Sequence, residues 1–373
     1  MQRRHDLDAL RGLMLVLMTL THLPTRFADP LGQPLGYVSA AEGFVMLSGF
    51  MAGMIYTRRA LHEGTPAMRV VLLRRALKIY GCQAALLLFL FTTVAALGAL
   101  AQQSAVTDLL SFYRMRPKAA VVGGFMLIYN PPLLDILPLY VVFMLASPLL
   151  LQRGLACGWQ GILGASVALW LGAQFDLGRA VYEGIVALTG LPVPFHQTGA
   201  FELFGWQFLW VLGLWLGANQ AAASEPLRWP RWLVGLALAI AAAGLVARHA
   251  VGQTPGVAAL DIDFDKWHLG PLRLIDFFAL LALAMRYGPA LAARLPRLRP
   301  LELLGAASLP VFCAHLVVTL LALALAGAPR SDRPLAVDLA ILGVGFAALY
   351  AVALVSQRID RHGRPALTAD ARR

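Results

Sequence analysis

Residues 79–101 read IYGCQAALLLFLFTTVAALGALA, a stretch of 23 residues without a charged side chain. An apolar helix of roughly 17–25 residues is long enough to cross a bilayer. The whole chain of 373 residues is 59% hydrophobic and 14% charged, whereas soluble globular domains are about 45–50% apolar and about 25% charged. These values exclude a soluble globular enzyme, a disordered chain and a fibrous repeat, and they predict a polytopic membrane protein.

Ten predominantly apolar stretches can be placed along the chain. They predict an all-α bundle of about 10 transmembrane helices in one domain, residues 1–373. The predicted spans are 8–24, 37–56, 79–101, 132–151, 159–174, 203–218, 232–248, 272–287, 302–326 and 335–356. The fifth, sixth and eighth are short for a span.

The basic residues sort by membrane side. With ten spans both termini lie on one side, and cytoplasmic termini place 21 of the 31 Lys and Arg residues inside and 10 outside. This asymmetry follows the positive-inside rule. The sorting accounts for the net charge of +11, so we expect a lipid bilayer and no nucleic acid as the partner of these charges.

Ionisable residues inside a bilayer are candidates for function, because each one is costly unless it faces the interior and finds a partner. Asp8, Arg11 and His22 share one face of the first span. Arg11 and His22 are eleven residues apart, about 16 Å along a helix. The pattern fits either a capped helix start with an interfacial histidine or a site that reaches from one side of the bilayer to the other.

The second span begins near the outer level of His22. It carries Glu42, which could orient the imidazole and raise its basicity. The alternative is an interfacial residue at a helix start. Further along, Gly49 and Gly53 form a GxxxG pattern, which is typical of closely packed helices.

Later polar residues are weaker candidates. Arg273 and Asp276 could satisfy each other as an i, i+3 pair, and a lone histidine such as His315 is more often structural. The substrate-binding candidates are Asp135, Trp206, Gln207, His268, Arg273, Ser308 and His315. The histidines are scattered, so we predict no metal site.

Several motifs resemble known membrane acyltransferases. The opening Arg3-x-x-x-Leu7-Asp8-x-Leu10-Arg11-Gly12, with His22 eleven residues after Arg11, resembles the integral-membrane acyltransferase 3 superfamily. Four further segments resemble the OpgC family, which succinylates osmoregulated periplasmic glucans: AEGFVMLSGF at 41–50, LDILPLY at 134–140, Trp206-Gln207, and SLPVFCAH at 308–315. The resemblance covers nearly the whole chain and implies a multi-pass protein of the bacterial inner membrane.

The resemblance also implies a mechanism. Succinyl-CoA, a donor substrate and not a bound cofactor, would dock at the cytoplasmic mouth, where Arg11 and a basic cluster meet its phosphates. A periplasmic glucan hydroxyl would lose its proton to His22, with Glu42 holding the ring and Arg273 neutralising the succinyl carboxylate or the oxyanion. The expected catalytic residues are Asp8, Arg11, His22 and Glu42, and the expected phosphate-binding cluster is Arg58, Arg59, Arg74, Arg75 and Lys78.

Other functions fit the same residues. One is an O-acetyltransferase that acts on another cell-envelope polysaccharide. Another is a polysaccharide or solute transporter, in which the buried charges form a relay. No inverted repeat or pair of broken helices of the transporter kind is evident in the sequence. The residues leave open whether acyl transfer is direct or proceeds through an acyl-enzyme at His22 or His315.

Overall fold

The computed structural model describes residues 4–222, 230–252, 263–330 and 332–362. All regular secondary structure in these residues is helical. The longer helices are α1 (His5–His22), α3 (Ala40–Glu63), α4 (Thr65–Phe89), α9 (Ile136–Cys157), α10 (Gln160–Ala173), α11 (Leu177–Thr189), α12 (Leu203–Ala222), α13 (Arg231–Val251), α14 (Pro271–Arg294), α16 (Ser308–Ala326) and α17 (Leu335–His362). The shorter helices are α2 (Ala28–Gly32), α5 (Ala95–Leu100), α6 (Ser104–Leu109), α7 (Ser111–Met115), α8 (Pro117–Phe125) and α15 (Arg299–Ala306). A π-helical segment at Leu90–Val94 and a 3₁₀ turn at Phe195–Gln197 complete the set.

A helix lies at each of the ten predicted spans, but not all are equally apolar. Within the described residues, seven helical stretches are long and apolar enough to cross a membrane, and the bent pair α10 and α11 would make an eighth. The two remaining predicted spans correspond to helices α1 and α12, which are more polar. Helix α1 has three charged residues among 18, and α12 contains Gln207, Asn219 and Gln220. The count of ten spans and the cytoplasmic termini therefore stay predictions. The basic tail after residue 362 lies outside the described residues.

Helices α3 and α12 run parallel and form the most extensive helix–helix contact among the described residues. A Cβ added to Gly49 would lie 2.6 Å from the carbonyl oxygen of Trp210, and Gly53 faces Leu214 in the same way. The glycines at 213 and 217 make the reciprocal approach to the α3 backbone. This confirms the close packing predicted from the GxxxG pattern of α3 and adds a second such pattern on α12.

The prediction of one continuous span at 302–326 is wrong. The chain breaks at Ala307, which separates the short α15 from α16. The break lets α15 cross α1 backbone to backbone: Gly12 abuts the carbonyl of Leu301, and a Cβ on Gly305 would lie 2.8 Å from the Gly12 nitrogen.

Helices α13 and α14 form a pair of their own at the edge of the bundle. Their contact is a small apolar cluster of Ala237, Ala241 and Ala279. In the last turn of α13, Arg248 donates a hydrogen bond from Nε to Gln33 at 2.8 Å. The segment before α3 is tied to this pair again by Asp276, which accepts the Tyr37 backbone N–H at 2.9 Å.

Candidate active site

The two histidines of α1 and α16 meet in the interior. Nδ1 of His22 lies 2.8 Å from Nε2 of His315, and Nδ1 of His315 lies 3.1 Å from the carbonyl oxygen of Phe312. A carbonyl only accepts hydrogen bonds, so Nδ1 of His315 carries the proton and, in the neutral ring, Nε2 accepts. His22 therefore donates from Nδ1, which leaves the lone pair on its Nε2. This nitrogen bonds to no residue in the described part of the chain, and it is suited to take a proton.

The predicted contact between Glu42 and His22 is wrong. Glu42 is fully buried and accepts hydrogen bonds from Ser39, whose hydroxyl lies 2.5 Å away, and from Nε of Arg273 at 2.5 Å. Ser39 and Glu42 form a capping box at the start of α3. The second histidine, His315, occupies the place that was expected for the carboxylate.

The i, i+3 spacing allowed Arg273 to pair with Asp276, but the two side chains do not form this ion pair. The partner of Arg273 is Glu42 on α3, and both side chains are almost fully buried. The Nη2 atom of Arg273 is buried and has no hydrogen-bond partner among the described residues. The pair holds α3 and α14 together and leaves the Nη2 amino group, with its two N–H donors, without an acceptor among the described residues.

Arg11 faces a cavity of about 200 Å³. Its Nη2 lies 2.5 Å from the Ser308 hydroxyl, and its buried Nε has no hydrogen-bond partner among the described residues. Asp8, one turn before, is buried, and its charge acts on Arg11. The cavity walls are otherwise mostly apolar and reach Phe312, whose ring centroid lies 5.1 Å from that of His315.

The basic cluster on α3 and α4 is only partly directed to this cavity. Arg75 lines it together with Arg11 and Tyr56. Arg59 instead pairs with Glu63 at 2.8 Å. The remaining members of the predicted cluster do not line the cavity and are exposed or half-buried: Arg58, Arg74 and Lys78.

Trp206 and Gln207 are committed to packing and do not line the cavity. The fully buried indole of Trp206 donates to the carbonyl oxygen of Trp267 at 3.0 Å. The amide of Gln207 binds Ser166 through both of its polar atoms and donates to the carbonyl oxygen of Phe204. These bonds fasten α12 to its neighbours, so the predicted substrate contacts of the two residues are not supported by the geometry.

His268 lies in the connection before α14. Its Nδ1 is 2.6 Å from Asp265, and this hydrogen bond raises the pKa of His268 above its ordinary value of 6.5. The neighbouring Asp176 is 3.9 Å from Nε2. His268 therefore forms an ion pair at the surface and does not join the pair of interior histidines.

Lys266 is a charged residue near the site that the sequence patterns did not single out. Burial lowers its pKa from the ordinary value of 10.5, while Glu42 and Asp135 act in the opposite direction. Its charge also acts on His22. Asp135 is buried at the start of α9 and accepts the backbone N–H of Ala200 at 3.0 Å. A lysine on the predicted outer side, where basic residues are scarce, was the signal available in the sequence.

Comparison with known proteins gives one match. The model of the family OpgC_C, described as OpgC protein, matches residues 3–361. No curated protein and no solved structure matches the chain significantly. The match covers nearly all of the chain, including both histidines and the cavity. The chain therefore belongs to the OpgC family.

Proposed function

We propose that this protein transfers a succinyl group from cytoplasmic succinyl-CoA to hydroxyl groups of periplasmic glucans, as a multi-pass protein of the bacterial inner membrane with both termini in the cytoplasm. Membership in the OpgC family supports a glucan-modifying acyltransferase that works with a lipid bilayer and a polysaccharide acceptor. The donor, the acceptor and the orientation in the membrane are the proposed parts.

One observation carries the proposal: a cavity lined by two guanidinium groups extends to the ring of Phe312, which contacts the histidine pair. Arg11 and Arg75 line the cavity on the side toward the N-terminus of α1, and Phe312 lines it beside His315. Guanidinium groups bind phosphate through paired donors. The remaining wall is mostly apolar and suits a pantetheine arm, whose thioester would then lie next to the histidines.

The histidine pair supplies the base for a direct transfer. The glucan hydroxyl oxygen forms a bond to the thioester carbonyl carbon while its proton passes to Nε2 of His22. The tetrahedral intermediate then collapses and the carbon–sulfur bond breaks. The departing CoA sulfur takes the proton from His22, so the products are a succinyl ester and the CoA thiol. His315 is a positioning residue in this scheme, because it fixes the tautomer and the orientation of His22.

The test is mass spectrometry of periplasmic glucans from a host that lacks its own succinylating enzyme, complemented with the wild-type gene or with His22→Ala. We expect succinyl increments with the wild type and none with His22→Ala. His62→Ala, which removes an exposed histidine at the end of α3, is the matched control and should retain the increments.

Three results would overturn the proposal in different ways. Acetyl increments would retain acyl transfer and replace the donor. Unmodified glucans, produced by a wild-type protein that is inserted in the membrane, would remove the acceptor assignment. Full activity of His22→Ala would remove His22 as the base.

A further inference from the structure

We infer that Lys266 and Arg273 form a carboxylate-binding subsite beside His22, which selects a transferred acyl group that ends in a carboxylate over a neutral one. This inference rests on the proposed function and deepens it. It assigns donor selectivity to Lys266, a residue outside the motifs that indicate acyl transfer.

The first half of the subsite is the unused edge of a buried guanidinium group. Arg273 is 1% exposed, and its Nε is held by Glu42. Its Nη2 atom is buried without a hydrogen-bond partner in the described residues. A buried donor without an acceptor is costly, and a substrate oxygen would supply the missing acceptor.

The second half is the ammonium group of Lys266. Lys266 Nζ lies 4.9 Å from the ring centroid of Trp267 and 5.7 Å from that of Phe201. It makes no hydrogen bond within the part of the chain that the structure describes, although the charges of Glu42, Arg273 and Asp135 act on it.

The protein's own carboxylates do not satisfy this lysine. Glu42 is bound by Ser39 on one oxygen and by Arg273 on the other. Asp135 directs one oxygen to the Ala200 backbone N–H. The ammonium hydrogens of Lys266 are therefore available to an oxygen atom of a substrate.

A subsite close to the reacting carbon favours a short acyl chain. Lys266 lies in the connection that leads into α14, where the carbonyl oxygen of Asp263 accepts the backbone N–H of Arg273 at 3.2 Å, and the charge of Lys266 acts on both Arg273 and His22. In a succinyl group, three carbon–carbon bonds separate the thioester carbonyl carbon from the carboxyl carbon, a distance of about 4 Å. A carboxylate at this distance from the reacting carbon would accept charge-assisted hydrogen bonds from both cations, and such bonds are stronger than neutral ones.

The experiment compares two donors of equal chain length, succinyl-CoA and butyryl-CoA, with the full-length protein in lipid nanodiscs and unmodified glucan as the acceptor. The quantity measured is the ratio of kcat/KM for succinyl to kcat/KM for butyryl transfer. We expect the wild type to prefer succinyl and Lys266→Met to lower the ratio by about tenfold or more. Lys266→Arg keeps the charge and should retain most of the preference.

The matched control is Lys118→Met, which removes an exposed lysine of α8 and should leave the ratio as in the wild type. An equal loss for both donors in Lys266→Met would overturn the inference, since a cation that stabilises only the oxyanion acts on every donor. A wild type that transfers butyryl in preference to succinyl would overturn it as well and would leave acyl transfer standing. A wild type that transfers neither group would overturn the proposed function and the inference with it.

Discussion

Nδ1 of His22 and Nε2 of His315 lie 2.8 Å apart although 293 positions separate the two residues in the chain. The carbonyl of Phe312 accepts a hydrogen bond from Nδ1 of His315. Nε2 of His315 is therefore the acceptor, and Nδ1 of His22 is the donor. His315 orients His22 as a carboxylate orients the catalytic base in many other enzymes, but it places no negative charge in the membrane interior. A neutral orienting group avoids the high cost of burying an unpaired carboxylate there.

Replacing His315 by Leu removes the acceptor that orients His22. We expect kcat to fall by about 100-fold or more, because a base in the wrong tautomer loses most of its contribution, while KM for both substrates changes little. The measurement is steady-state kinetics in nanodiscs. His315→Gln retains a side-chain acceptor and should recover part of kcat. A His315→Leu protein with wild-type kcat would contradict the positioning role.

The buried pair of Glu42 and Arg273 predicts a strong dependence of stability on both partners. Glu42→Gln leaves the guanidinium group without its counter-charge, and we expect the free energy of unfolding to fall by about 3–5 kcal/mol. Removing both charges, in Glu42→Gln combined with Arg273→Met, should recover a large part of the loss. Denaturant unfolding in detergent measures both values.

The control for this pair is Ser39→Ala, which removes the serine half of the capping box. It should cost only about 1 kcal/mol. If Glu42→Gln and Ser39→Ala were equally destabilising, the role of Glu42 would be confined to the helix cap.

The close contact between Gly12 and α15 predicts that a larger side chain at position 12 weakens donor binding. Gly12→Ala places a methyl group against the carbonyl of Leu301, so α1 and α15 must separate, at a cost of about 1–3 kcal/mol. The shift moves Arg11 relative to Ser308, and we expect a higher KM for acyl-CoA. Gly81→Ala is the matched control, because a Cβ there meets nothing within 4 Å. Equal stability of the two variants would argue against the close crossing.

The connection before α14 should lose stability as the pH rises. The hydrogen bond to Asp265 raises the pKa of His268 above 6.5, so the folded state favours the protonated ring. This contribution is fully present below the ordinary pKa and is lost as the pH rises through the folded value. Between pH 6 and about pH 8, the Tm of the wild type should therefore fall more than that of His268→Gln. Parallel Tm curves for the two proteins would contradict this.

Helix positions could be predicted from the sequence because they depend on local composition. Helix lies at each of the ten apolar stretches, although 302–326 is divided between two helices, and Gly49 and Gly53 indicated a close contact. The break at Ala307 was not predictable from hydropathy, because apolar residues flank it on both sides. It depends on the crossing with α1, which involves residues some 290 positions away.

The site was harder to predict than the fold. His22, Arg11, Ser308 and His315 were recognised one at a time, but their pairing depends on how distant helices pack. Glu42 was misassigned for a local reason: Ser39-x-x-Glu42 is a capping-box pattern, and that pattern was readable. Lys266 belongs to no motif. The signal available in the sequence was its position on the predicted outer side, where basic residues are scarce.

Helix α13 touches the rest of the bundle along a narrow strip, and 6% of its apolar stretch is buried. Its polar attachments in the described residues, through Arg248 and His249, are confined to its last turn. Almost any apolar side chain can therefore replace another along most of its length. In a saturation mutagenesis experiment α13 should be the most permissive of the long helices, and its N-terminal half is a suitable place to attach a spectroscopic probe without disturbing the histidines.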